Sequence, residues 1–270
     1  MLEKLTQKAD KYDRSTAKGR LKAEAIDAFA DELGALDVWT RVPPNSRRPK
    51  LTREHLAATA LRLADDEGIA ALSMRRLATE LDVGTMSLYH YIRTKDELLT
   101  LVTDAVMGEV VVPDETALPR DWRKALKLIA ARSRAAFRRH PWMLDINDDP
   151  PIGPNSVRHF DQTLEAVSSL DLPLAKRLDI AALVDEYVFG FSLLERNHRK
   201  GDATDDEDSM IDYISVLLET GAYPQLEALT AETSLRAVWR EVHDALRDDG
   251  RFERNLERIL DGIAASIAAA

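Results

Sequence analysis

The chain has 270 residues, 45% of them apolar, a formal net charge of −10 and no cysteine. That length suits two domains, and the lack of thiols excludes disulfides, thiolate metal sites and a cysteine nucleophile. No apolar run reaches the ~18 residues of a membrane span, and the opening MLEKLTQKADKYDR has no apolar core, so neither a span nor a secretory signal is expected and a cytoplasmic location is the simple reading.

Residues 1–46 form an N-terminal extension. Ala17 to Leu36 has a helical pattern, with Leu21, Ala25, Ala28, Phe29 and Leu33 on one side. Residues 37–49, DVWTRVPPNSRRP, read as a linker. Arg47, Arg48 and Lys50 stand just before the next helix. Two readings are open for them: an arm that reaches phosphates or the minor groove, and a solvated basic linker.

Residues 51–110 predict four helices. Thr52 is a candidate N-cap, Leu56, Ala60, Leu63 and Ala64 share a face, and Gly68 stops the first helix. Ser73 caps a second, short helix with Leu77, Ala78 and Leu81 inward. Asp82-Val83-Gly84 turns the chain sharply, and a third short helix is expected over 85–91. Two short helices joined by such a turn make a helix-turn-helix, whose second helix can enter a major groove. Thr85, Met86, Ser87, Tyr89, His90 and Tyr91 give this helix polar or amphipathic groups suited to phosphates, thymine methyls and base edges, with only Leu88 and Ile92 as anchors. Thr94-Lys95-Asp96-Glu97 is a capping box that opens the fourth helix. Lys95 sits against the helix dipole there, a placement that a phosphate partner would rationalise.

The remainder reads as a helical body without a strand. Helices are expected over 122–140, 155–170, 174–199, 209–220, 234–247 and 252–268, with a polar, acidic loop over 200–208. Charge is uneven: residues 1–50 hold 11 Lys and Arg against 8 Asp and Glu, residues 51–100 hold 6 against 8, and residues 101–270 hold 20 against 31. The acidity therefore lies in the body. A DNA-reading unit this weakly charged needs a dimer and a few well-placed cations, and its binding should fall with salt.

The stretch LSMRRLATELDVGTMSLYHYIRTKDELL resembles the DNA-binding domain of the tetracycline-repressor (TetR) family of bacterial transcription regulators. GPNSVRHFDQTLEAVSSLDLP, EYVFGFSLLE and FERNLERILDGIAASI resemble that family's C-terminal domain more loosely. The resemblance implies an all-α fold in three parts: the extension at 1–46, a DNA-binding domain at 47–110 and a ligand-binding and dimerisation domain at 111–270. It also implies that Arg75 and Arg76 touch backbone or a guanine, that Thr85, Met86, Ser87 and His90 face bases, and that Tyr89, Tyr91 and Lys95 hold phosphates. Apolar stripes at 180–194 and 252–267 are the candidates for a homodimeric four-helix bundle.

Trp122, Phe137, Trp142, Phe160, Tyr187, Phe191 and Trp239 are the large side chains available to line a small-molecule pocket, with His140, His159, Glu186 and Asn197 as polar contacts. Each has an ordinary reading as core or helix-end residue. The family's drug–magnesium residues do not match position by position, and no pair of histidines stands at metal-binding spacing, so no metal or cofactor is expected. There is no Gly-rich phosphate loop, no nucleophile elbow and no acid–base pair, which argues against an enzyme. The expected function is a repressor that binds a palindromic double-stranded operator as a homodimer and is released by a small molecule that swings the fourth helix. The alternatives are an all-α small-molecule carrier or sensor without DNA binding, and a regulator that senses another protein through its acidic surface.

Overall fold

A computed structural model describes residues 38–39, 51–146, 152–200 and 205–269. Its elements are α1 (Arg53–Glu67), α2 (Met74–Glu80), α3 (Thr85–Leu88), α4 (Lys95–Val110), α5 (Trp122–Arg139), α6 (Pro154–Ala166), α7 (Leu174–Lys200), α8 (Asp205–Leu218), α9 (Pro224–Thr230), α10 (Leu235–Arg247) and α11 (Arg251–Ala268), with single 3-10 turns at Ile69–Ala71 and Pro141–Asp145. The described residues are thus all-α, and they form two compact units, one ending at Asp171 and one beginning at Leu172. None of the described helices is long and apolar enough to cross a membrane.

Local chemistry sets most boundaries in the first unit. The Thr52 hydroxyl accepts from the His55 N–H at 3.1 Å and Ser73 from Arg76 N–H at 3.2 Å, so both expected caps form. Gly68 ends α1 at φ 84°, a left-handed value open to glycine. Thr94 accepts from Glu97 N–H at 3.0 Å, while the Glu97 carboxylate reaches back to Arg93 N–H at 2.7 Å, one residue earlier than the usual capping box.

The left-handed residue of the helix-turn-helix turn is Asp82 (φ 52°). Asp82 N–H bonds to the Thr79 carbonyl and Val83 N–H to the Ala78 carbonyl, a Schellman ending for α2, and the short polar side chain of aspartate tolerates this conformation. The third helix ends at Leu88, three residues short of the expected length, because Tyr91 N–H bonds back to Leu88 with the tighter i→i−3 spacing.

The core of this unit joins Leu56, Ala60 and Leu63 of α1, Leu77 of α2, Leu88 of α3 and Leu98, Leu101 and Val102 of α4. Val38 is buried in the same cluster and Trp39 packs against it; both are helical, so the expected linker places at least two residues on the folded unit. The other expectations for 1–37 and 40–50, including Arg47 and Arg48, lie outside the described residues.

The core also continues past α4, through Ala136 and Trp142. Around it, polar side chains bind α4 to α5 and α6. Asp104 of α4 accepts from the N–H groups of Asn155 and Ser156, both at 3.0 Å, and so caps the start of α6 from outside the helix. Gly153 is required at this approach, since a Cβ there would lie 2.2 Å from the Asp104 carboxylate. Arg132 of α5 donates to the carbonyls of Glu109, Val110 and Val111 at 2.6–2.7 Å, taking up orphan acceptors at the end of α4. Gln162 of α6 pairs with both backbone groups of Val112, at 2.9 and 2.7 Å.

In the second unit, α7 and α11 pack through Ala181, Val184, Val188 and Phe191 against Phe252, Leu256, Leu260 and Ile263. Tyr187 stacks on Phe252 with ring centres 5.3 Å apart and donates its hydroxyl to the Phe252 carbonyl at 2.8 Å. Helix α9 was not expected from sequence, and α8 begins inside the stretch expected as an acidic loop.

Candidate nucleic-acid interface and effector region

Helix α3 buries one residue, Leu88. That anchor seats the helix on the core of the unit and turns its other residues outward. Met86 is 75% exposed and Tyr89 43%, with Ser87 and His90 also exposed and Thr85 half-exposed. Covering this thioether and phenol would gain free energy, and a helix this short and polar on its outer side is suited to a groove. Arg75 and Lys95 stand exposed at the first turns of α2 and α4. Seven of the expected contact residues therefore lie on the surface of the helix-turn-helix.

Two do not stand as expected. Tyr91 is only 8% exposed and belongs to the core of the unit, so its ring packs between helices. Arg76 is held by carboxylates: its Nε and Nη2 bind Glu67 of α1 at 2.5–3.1 Å and its Nη1 binds Glu80 at 2.9 Å. Arg62 pairs with the other Glu80 oxygen at 2.8 Å. These hydrogen bonds hold Glu67 and Glu80 below the usual carboxylate range and push the Arg76 guanidinium up. Arg76 thus ties α1 to α2, and Arg75 is the cation of the pair left facing outward.

The expected effector residues disperse more. His140 and Trp142 are buried and spent on carboxylates. Trp142 Nε1 donates to Asp65 of α1 at 2.7 Å, and the His140 ring lies between Asp65 and Glu109 of α4. Both are joints to the DNA-reading unit rather than pocket contacts, and their partners, far off in sequence, gave no signal. Phe160 is 55% exposed on α6, and Trp122 and Phe137 are half-buried on α5. His159 is half-buried on α6, where burial pushes its pKa down. In the second unit Glu186 is exposed, so it is not a buried acid. Tyr187 and Phe191 form the aromatic contact with Phe252, and Arg251 lies over the Phe191 ring at 5.1 Å. Phe191 also lines a cavity of about 260 Å³ with Glu195, His198 and Leu246. A second cavity, about 360 Å³ and mainly apolar, lies in the first unit among Trp39, Ala57, Leu61, Leu101 and Pro154.

A short helix with one buried anchor and an outward polar face, set on a capped turn after a second short helix, defines a helix-turn-helix DNA-binding protein. Comparison with known proteins gives the family. Residues 56–102 match the family model for bacterial regulatory proteins of the tetR family, and residues 115–267 match the tetracyclin repressor-like C-terminal domain. The chain belongs to the tetR family of bacterial transcription regulators.

It is 32% identical to the HTH-type transcriptional repressor DrrR1 of Streptomyces coeruleorubidus over 84% of this chain and 83% of that protein. It is 37% identical to the class C tetracycline repressor protein of Escherichia coli over 33% of this chain and 40% of that protein. Among solved structures, the TetR family protein ActR of Streptomyces coelicolor in complex with actinorhodin superposes with a TM-score of 0.62 at 32% identity, covering 80% of this chain and 98% of ActR.

Proposed function

We propose that the chain is a repressor that binds a palindromic operator as a homodimer and is released by a small molecule bound in residues 111–270. The observation that carries the reading is the face of α3: Met86 and Tyr89 stand exposed on a helix whose one buried residue is Leu88. In this reading residues 47–110 are the reading head, Thr85, Met86, Ser87 and His90 meet base edges, and Arg75, Tyr89 and Lys95 hold phosphates, with Arg47 and Arg48 as an arm. Dimerisation is supported by Leu183, Phe189 and Leu194, which α7 leaves exposed after burying its other face on α11. A small-molecule effector is supported by ActR, whose structures hold actinorhodin and (S)-DNPA. The cytoplasm is the compartment where such a regulator meets DNA.

The test is binding of the purified chain to the DNA flanking its own gene at fixed salt, beside an Arg75→Ala/Tyr89→Ala variant. Protection of a short palindrome by the parent and a loss of ~100-fold or more in the variant is the expected result, about 1–3 kcal/mol for each contact removed. No specific protection by the parent would overturn it and favour an all-α carrier or sensor, and equal protection by both proteins would overturn the roles given to Arg75 and Tyr89.

A further inference from the structure

The end of α5 enters the DNA-reading unit through one ionisable ring. His140 is 3% exposed. Its Nδ1 lies 2.7 Å from Asp65 Oδ1 on α1, and its Nε2 lies 3.1 Å from Glu109 Oε2 on α4. Among the described residues, the charged groups facing it are these two carboxylates and Arg139 of α5, which pairs with the same Glu109 oxygen. The neutral Trp142 indole shares the Asp65 oxygen at 2.7 Å. An ionised carboxylate only accepts, so each ring nitrogen must carry a hydrogen to bond to it. A neutral imidazole has one N–H, and the two bonds together require the imidazolium.

We propose that His140 is a positioning residue: as an imidazolium bridging α1 and α4, it fixes the angle at which the end of α5 holds the reading head. The operator readout rests on the regulator reading above; the state of the ring does not. A ring with a single N–H would turn a lone pair toward one carboxylate oxygen and lose that link. The end of α5 would keep only Arg139 to Glu109 or Trp142 to Asp65 on that side, and the geometry that matches two half-sites relaxes.

The experiment uses the full chain in two arms. In the first, ¹⁵N spectra of the histidine rings at neutral pH, with His140→Gln for assignment, report the ring state. Both His140 nitrogens should carry a proton. In the second, binding is compared for an operator with native half-site spacing and one with a base pair inserted, which turns one half-site by about a tenth of a helical turn. The ratio is read rather than the affinity, because contacts made alike on both operators cancel.

The wild type should prefer native spacing about fivefold more strongly than His140→Gln does. Glu109→Gln gives a second readout that does not depend on removing the ring. Its amide can donate to a bare Nε2, so this variant should keep the native preference. A single-tautomer pattern for His140 at neutral pH, or a spacing ratio in His140→Gln equal to the wild type, overturns the proposal. If no specific operator is bound at all, the regulator reading fails, and the ring spectra still decide the bridge.

Discussion

Replacing Asp104 by alanine should loosen α6 from α4. The carboxylate is buried and accepts from two backbone N–H groups at the start of α6, from the Asn155 side-chain amide at 3.0 Å and from the Ser156 hydroxyl at 3.3 Å. A lost N-cap costs about 1 kcal/mol, and a buried donor left without an acceptor about 1–3 kcal/mol. Asn155 and Ser156 are half-buried, so water replaces part of the loss, and the expected total is about 2–3 kcal/mol. For a protein of this size that lowers Tm by roughly 4–12 °C. Urea unfolding followed by circular dichroism measures it, with Asp104→Asn expected to lose about half as much because one acceptor oxygen remains.

The pH dependence fixes the sign of the argument. Burial raises the Asp104 pKa, against the opposing pull of the Ser156 and Asn155 bonds. A folded pKa above the unfolded value means that the folded chain holds this proton more tightly. The group's contribution to stability is then fully present below the unfolded pKa and is lost as pH rises through the folded one. The gap between wild type and Asp104→Ala should therefore widen as pH falls from neutrality toward ~4, the ordinary aspartate range. A variant within about 0.5 kcal/mol of wild type, the size of an ordinary surface change, would refute the reasoning, and so would a gap that narrows in acid.

Three further outcomes follow from single contacts. Arg132→Lys should destabilise the chain by about 2 kcal/mol in denaturant titration, because an ammonium cannot fork to the carbonyls of Glu109, Val110 and Val111 as the guanidinium does. Lys95→Ala should weaken operator binding about equally across sequences and reduce the slope of log K against log salt by about one, the signature of one lost phosphate contact. Arg76→Ala should lower stability by an amount that shrinks as salt is added, since its ion pairs lie at the surface; titration of the operator should find its affinity less changed than by Arg75→Ala.

The elements that were legible in the sequence are those set by neighbours in the chain. Thr52, Ser73 and Thr94 each satisfy an N–H three residues on, so hydroxyl position alone marked three helix starts. The length of α3 was misjudged because Tyr89 to Tyr91 continue the polar pattern while the backbone has already tightened at Leu88. Tyr223-Pro224 carried a helix-start signal, proline at the first position, but the short α9 behind it passed for a loop. The effector region was the least legible part. An imidazole and an indole beside a proline read as pocket groups, and only the fold brings Asp65, 75 residues from His140, and Glu109, 31 residues away, to their ring atoms. Side-chain type announces that a polar partner is needed; it does not say whether that partner is a ligand or another helix.

These long-range bonds bear on how an effector acts. A fourth helix swinging alone would have to leave α5 and α6 behind. That means breaking three charged hydrogen bonds from Arg132, two from Gln162 and those of Asp104. At about 1 kcal/mol for each neutral bond and about 1.5–3 kcal/mol for each charged one, the cost exceeds ~8 kcal/mol. Releasing an operator 100-fold takes only ~2.7 kcal/mol of differential affinity. We therefore predict that an effector of ordinary strength does not part α4 from its neighbours but moves α4, α5 and α6 as one body, with the rest of the reading head carried on them. Cross-linking α4 to α6 by cysteines at Gly108 and Asn155, whose side-chain amide lies 3.0 Å from a Cβ built at Gly108, separates the two cases. The cysteine-free background leaves no competing thiol. A linked chain that still releases operator on adding effector fits motion as one body, and a linked chain locked on operator would mean that α4 does swing alone.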